Sequence, residues 1–156
     1  MIIRRLADGE NAPMELLLNA DPSLEIVNAY LQKGTTVIAV DDKGKHAGVY
    51  VLVETTPKTV EIMNISVAEE RQGQGIGRRL IHHAISHARE RGYETLRIGT
   101  GNSSIGQLAL YQKCGFRIVG IDFDFYIRHY PEPIFENGIQ CRDMMRLEIQ
   151  LQEDGE

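Results

Sequence analysis

The chain contains no apolar run approaching the roughly 18 residues that a bilayer crossing requires, and its opening residues turn basic at Arg4 and Arg5. A soluble, cytoplasmic protein with no membrane partner is expected. Cysteine is scarce: Cys114 and Cys141 show neither CxxC nor metal-ligand spacing, so reduced thiols and no bound metal are expected. Cys114, late in a helical pattern, reads as a small buried filler rather than a nucleophile. Basic residues are outnumbered, with 17 Lys and Arg against 22 Asp and Glu and a formal net charge of -5. That balance argues against nucleic acid or an acidic membrane as partner, and any anion site must be built locally. No repeat, low-complexity tract or long Pro/Gly/Ser linker divides the sequence, so residues 1–156 are expected to form one domain. A 42% hydrophobic share at this length is enough for a sizeable core.

What is present falls into two periods. Residues 1–6 read as a strand, and Asp21 followed by Pro22 predicts a cap and first helical position, opening a helix that runs to Gln32 and stops at Gly34. A shorter helix is expected before it. The β-branched runs 35–40 and 48–54 flank the turn sequence Asp41-Asp42-Lys43-Gly44-Lys45, and 59–67 continues them, which predicts an antiparallel meander. The period then changes: Ile76, Leu80, Ile81, Ala84, Ile85 and Ala88 recur at helical spacing, with Arg78, Arg79, His82, His83, His87 and Arg91 on the opposite, solvated face. Gly92 caps that helix. A strand over 95–99, a helix over 104–114 stopped by Gly115, and strands over 116–125 and 142–151 complete the pattern, the last two separated by an irregular stretch with Tyr130-Pro131-Glu132-Pro133 and Asn137-Gly138.

Between the third meander strand and the amphipathic helix stands Arg71-Gln72-Gly73-Gln74-Gly75-Ile76-Gly77-Arg78-Arg79. A helix start exposes backbone N–H groups and the positive end of a macrodipole, and glycines let a bulky anion reach those amides. Arg71, Arg78 and Arg79 add charge-assisted donors. Two familiar phosphate motifs are excluded. No Gly-Lys-Ser/Thr occurs, so this is not a P-loop; Arg78 occupies the third glycine position of a dinucleotide fingerprint, and a hairpin meander rather than a βαβ unit precedes it.

Gln72-x-x-Gly75-x-Gly77, between a strand and a helix, resembles the acetyl-CoA pyrophosphate loop of the GNAT superfamily of N-acetyltransferases. Asn102 and the later Tyr111-Gln112-Lys113-Cys114-Gly115-Phe116 resemble that superfamily's second motif, in the right order and separation. The stretch 99–104 departs from the family in being longer and richer in glycine. The resemblance implies an α/β (α+β) fold with a mixed, mostly antiparallel sheet of about six to seven strands, about four flanking helices and a V-shaped cofactor cleft. It implies acetyl-CoA as co-substrate, cradled by Gln72, Gly73, Gln74, Gly75, Ile76, Gly77 and Arg78, paired along its arm with a bulged strand at Ile65 and Val67, and reached by Asn102 and Lys113. The chemistry implied is direct attack of a neutral amine on the thioester through a tetrahedral intermediate.

By the same resemblance Tyr111 is the general acid for the departing thiolate; on its own it would read as a packing residue. Glu61 is the first candidate for the base, although alternation could also place it on a solvated face, with Asp122, Asp124, His129, Glu136 and Asp143 in reserve. Asp122-Phe123-Asp124-Phe125-Tyr126 reads either as an alternating half-buried strand or as an amine pocket of acids and rings. His83 and His87, one turn apart, lack a carboxylate or thiol to complete a metal site. A small-molecule amine is the expected acceptor, with 130–137 long enough to cap the cleft. A protein or peptide amine and a non-catalytic acyl-CoA sensor are the alternatives, and a homodimer is possible for the family.

Overall fold

The computed structural model describes residues 1–151; residues 152–156, the end of the expected domain, lie outside the described residues. The β-branched runs form β1 (Ile2–Arg5), β2 (Thr35–Val40), β3 (His46–Thr56) and β4 (Thr59–Val67), an antiparallel meander interrupted after β1 by α1 (Met14–Ala20) and α2 (Leu24–Lys33). Asp41 closes the β2–β3 turn, its Oδ1 accepting from the amides of Lys43 and Lys45 at 2.9 Å each. There follow α3 (Ile76–Glu90), β5 (Thr95–Gly101), α4 (Ile105–Lys113), β6 (Arg117–Asp122), α5 (Phe125–His129), β7 (Phe135–Glu136), β8 (Ile139–Gln140) and β9 (Met144–Gln150). The last strand inserts between β5 and β6, so the sheet runs β1-β2-β3-β4-β5-β9-β6, with β4 and β5 parallel.

The two-residue period of the strands builds two cores. Val37, Ala39, Tyr50, Leu52, Val60 and Ile62 meet Leu80, Ile81 and Ala84 of α3, while the alternate residues Ile38, Val49 and Val51 meet Leu16, Leu17 and Val27 of α1 and α2. Leu80 and Ile81 are fully buried, each contributing about 1.5–3 kcal/mol of transfer free energy.

Several expectations shift. The α2 cap is Ser23, whose Oγ accepts from the Ile26 amide at 3.2 Å; Asp21 instead ends α1, because its carboxylate is drawn to tyrosines described below. The strand expected over 116–125 stops at Asp122, and a fifth helix, α5, begins at Phe125. Asp124 turns the chain there in the left-handed region at φ 61, its amide donating to Asp143 Oδ1 at 2.8 Å. Asn137 and Gly138 form a tight hairpin between β7 and β8, at φ 56 and 74. His83 and His87 are half-buried rather than solvated: Tyr50 Oη lies 2.7 Å from His83 Nδ1, and the two imidazoles stack. Burial lowers both of their pKa values.

Candidate active site

The cleft originates in a register change. Leu52 pairs with Ile62 but Val51 with Asn64, so Met63 is an extra residue in β4, a bulge. The parallel pairing of β4 with β5 runs only from Thr59↔Thr95 to Ile62↔Ile98. Beyond that point β4 continues along β3, and β5 continues along β9 as far as Gly101↔Met144. The two strands therefore diverge at the bulge, leaving backbone edges from Met63 and Gly99 onward facing a V-shaped gap. The extra residue also reverses the alternation. Ile62 and Ile65 both face the α3 core, whereas Asn64 is turned toward α1 and α2, donating through Nδ2 to Leu17 O at 3.0 Å.

At one end of the gap β4 passes through a short 3-10 turn, Glu69–Arg71, into the glycine-rich loop. Gly73 and Gly75 adopt φ 80 and 82, and a Cβ at either would meet nothing within 4 Å. The α3 N-terminus has Gly75 at its cap and no side-chain cap, so no side chain answers its first-turn amides there. The loop is held from its sides: Arg71 donates to Asp41 Oδ2 and Gln74 Oε1, and Gln72 to the Val67 carbonyl. Arg78 and Arg79 are exposed and form no ion pair among the described residues. A Cβ on Gly77 would sit 3.7 Å from Leu110 and 3.8 Å from Val67, so the end of β4, the start of α3 and α4 converge here.

At the other end the gap opens into a cavity of about 600 Å³. Tyr111 of α4 forms part of its wall, 4% exposed and packed on Phe116, and its hydroxyl has no hydrogen-bond partner among the described residues. Burial, reinforced by Cys114, raises its pKa far above the ordinary tyrosine value, so the hydroxyl remains a donor. Glu61 also lines the cavity. Burial raises its pKa, with Arg146 and Arg97 opposing and Glu148 adding to the shift. Across from these stands a polar network: Asp21 accepts from Tyr30 at 3.2 Å and from Tyr130 at 2.9 Å, and Asn64 Nδ2 donates to the Tyr30 hydroxyl at 2.7 Å.

A divergent sheet, an uncapped helix behind left-handed glycines and a protonated phenol in the cleft wall form one arrangement, and the profile of the Acetyltransferase (GNAT) family matches residues 6–116. The chain belongs to that family. An uncharacterized N-acetyltransferase from Bacillus subtilis (strain 168), YvbK, is 58% identical over 139 residues, covering 88% of each chain. An IAA acetyltransferase from Bacillus cereus ATCC 14579 superposes with a TM-score of 0.92 at 55% identity, over 96% of this chain and 99% of its own. A GNAT acetyltransferase from Elizabethkingia anophelis with acetyl-CoA bound superposes at 0.94 and 47% identity, over 96% and 97%. The mixed, mostly antiparallel sheet matches these structures, and by family this chain is an N-acetyltransferase.

Within this GNAT chain the expected residues divide between places. Tyr111, Glu61 and Ile65 meet at the cavity, joined by His129 and Glu136 from the reserve list. Gln72, Gly73, Gln74, Gly75, Ile76, Gly77 and Arg78 form the loop and helix start, beside Val67. Lys113 is exposed at the end of α4. Asn102 spends its amide on the protein, donating to Gln140 O and accepting from the amides of Arg142 and Asp143. The acids of the Asp122–Tyr126 stretch do not form an amine pocket: Asp122 pairs with Arg128 and Arg146, and Asp124 with Arg142, while Phe125 and Tyr126 do line the cavity. Sequence reasoning missed Asp21, Tyr30, Asn64 and Tyr130. The available signal was Asn64, a polar residue between apolar ones in a strand destined for burial.

Proposed function

We propose that this GNAT chain, acting as a single domain, transfers the acetyl group of acetyl-CoA to a primary amine of a small molecule. Acetyl-CoA supplies an activated acetyl group on a thioester and departs as a thiolate. The first-turn amides of α3, the loop from Gln72 to Gly77 and Arg78 hold its pyrophosphate; the open space over Gly73 and Gly75 fits a bulky anion that no side chain competes for. The free edge of β4 at Ile65 and Val67 offers main-chain groups to the extended arm. Tyr111 donates its proton toward the departing sulfur, and Glu61 receives the proton of the attacking amine, directly or through water. Asn102 is assigned to holding the segment before β9, since its hydrogen bonds are made there.

The observation that carries the reading is the Tyr111 hydroxyl, protonated, unpartnered among the described residues and reachable from a cleft whose other end is an uncapped helix N-terminus, while the ring behind it is buried. A merely structural tyrosine at this depth would bond its hydroxyl to the protein, as Tyr50 does to His83. A small acceptor is favoured over a peptide because Tyr130, beyond α5, donates to Asp21 between α1 and α2 at 2.9 Å, tying together two walls that an extended chain would have to part.

Thermal melting with acetyl-CoA, coenzyme A and NAD, followed by an amine panel read by thiol release, tests this. Acetyl-CoA at about 100 times its dissociation constant adds about 2.7 kcal/mol, a rise of roughly 5 to 10 °C for a chain of this size. A shift with NAD and none with acetyl-CoA would refute the proposal, as would thiol release with peptides alone.

A further inference from the structure

The acceptor end of the cavity has a one-sided chemistry. Among the described residues three carboxylates line it, Asp21, Glu61 and Glu136, and no Lys or Arg does. Among the described residues none of the three forms an ion pair. Among the described residues Glu136 accepts only from the hydroxyls of Ser103 and Ser104, and Asp21 only from Tyr30, Tyr130 and the Ser23 amide. Asp21 is only 9% exposed, and a carboxylate at that depth ordinarily sits beside a cation. An independent observation lies beside it. Asn64, also lining the cavity and 4% exposed, has its Oδ1 buried with no donor among the described residues, its Nδ2 being committed to Leu17 and Tyr30. This amide cannot be reversed, since Nδ2 faces the Leu17 carbonyl, which offers no proton.

At the Asp21–Asn64 cluster the wall thus presents acceptors, has its own donors already spent, and is negative in charge, while Gln107, Tyr111 and His129 also line the cavity. An alkylammonium group is the small ligand chemistry that matches all three, with several N–H donors, a positive charge and methylenes to lie on rings. Tyr126, Tyr130 and Phe125 provide those rings. One amine does not account for the arrangement, because the attacking nitrogen must be neutral and gives its proton to Glu61. A second, still protonated nitrogen is needed to balance Asp21.

Resting on the acetyl-transfer reading above, we propose that the acceptor is a di- or polycationic amine, held by one ammonium at the Asp21–Tyr30–Tyr130–Asn64 cluster while another amine reacts between Glu61 and Tyr111. Asp21 and its tyrosines are specificity residues for that second charge. Asp21's hydrogen bonds come from neutral donors alone, and the ammonium adds the positive charge they lack.

The test compares a five-carbon α,ω-diamine with the amino alcohol of the same length, at saturating acetyl-CoA. These ligands differ only at the distal group. The diamine is expected to give kcat/KM at least about tenfold higher, mainly through KM, and to raise the melting temperature of the coenzyme A complex where the amino alcohol does not. Asp21→Asn keeps an acceptor for the Ser23 amide and is expected to reduce the preference below about threefold while acetyl-CoA still raises its melting temperature. Equal kcat/KM for the two ligands, or a peptide outcompeting the diamine, overturns the inference and leaves acetyl transfer standing. Failure of every amine to release thiol overturns acetyl transfer instead. The diamine melting shift then decides the subsite alone, its absence refuting the second-charge site.

Discussion

Replacing Tyr111 by Phe separates a catalytic hydroxyl from a structural one. The ring stays: it is 4% exposed and packs on Phe116 at a centroid distance of 6.3 Å. The hydroxyl has no partner among the described residues, so its removal breaks no intramolecular hydrogen bond, and stability is expected to change by less than about 0.5 kcal/mol. That corresponds to a melting shift of no more than about 2 °C. Turnover responds differently. General acid catalysis contributes roughly 10²–10⁴-fold, and a thiolate, which leaves well unaided, places this case at the lower end, about 10² or 2.7 kcal/mol of barrier. The assay is kcat by thiol release, with acetyl-CoA affinity measured separately by melting titration, where a change under about threefold is expected. Tyr50→Phe is the control, since Tyr50 is fully buried, lies outside the cavity and bonds His83 at 2.7 Å. It should lose about 1 kcal/mol of stability and keep its turnover. A Tyr111→Phe enzyme whose kcat stays within about threefold of the parent refutes the acid role, because no proton donor worth having is replaced by a phenyl ring at so little cost.

Gly75→Asp places a carboxylate at the uncapped start of α3; it should abolish the acetyl-CoA melting shift while costing no more than about 2 kcal/mol of stability, the strain of a left-handed non-glycine residue. Glu61→Gln removes a carboxylate whose folded-state pKa burial holds above its unfolded value, so ionisation costs stability as pH rises past the unfolded value; the variant should melt higher than the parent at neutral pH and lower at neither end. Its turnover should fall and lose the acidic limb of the pH–rate profile, which in the parent lies above the ordinary glutamate range; an unchanged limb assigns the base elsewhere. Asn102→Ala deletes three hydrogen bonds to the segment before β9 and should lower stability by about 1–3 kcal/mol, with acetyl-CoA affinity within about threefold; a large loss of affinity at unchanged stability would return Asn102 to the cofactor site.

The meander and α3 were legible because their stabilising contacts repeat at short sequence separation. All six apolar positions read at helical spacing, Ile76 to Ala88, are buried in one face. The insertion of β9 between β5 and β6 was not legible: its pairing of Thr95 with Gln150 is a long-range choice that no local pattern encodes. Helix α5 is five residues long, too short to display a period, and its start depends on a left-handed Asp124 fixed by Asp143 and on a Tyr126 amide bonded to the Arg142 carbonyl. The α2 cap was misplaced for the same reason. Asp21 and Ser23 are equally good caps by composition, and Asp21 is withdrawn by Tyr30 and by Tyr130, which lies 109 positions away.

The candidate site divides along the same line, and the division follows from the two ligands' chemistry. A pyrophosphate is bound by N–H donors, and a chain concentrates those most densely in consecutive amides at one helix start, so the loop from Gln72 to Gly77 is contiguous and readable as a motif. An ammonium is bound by acceptors converging from several directions, which successive residues of one strand or helix cannot supply because their side chains diverge. Asp21, Asn64 and Tyr130 accordingly come from three separate segments and share no spacing. The bulge at Met63 joins the two halves, since the same extra residue that parts β4 from β5 for the acyl donor also turns Asn64 toward the cation cluster. Deleting Met63 should therefore injure both functions at once, lowering acetyl-CoA affinity and abolishing the diamine preference together; loss of one with the other intact would show that the two sites are built independently.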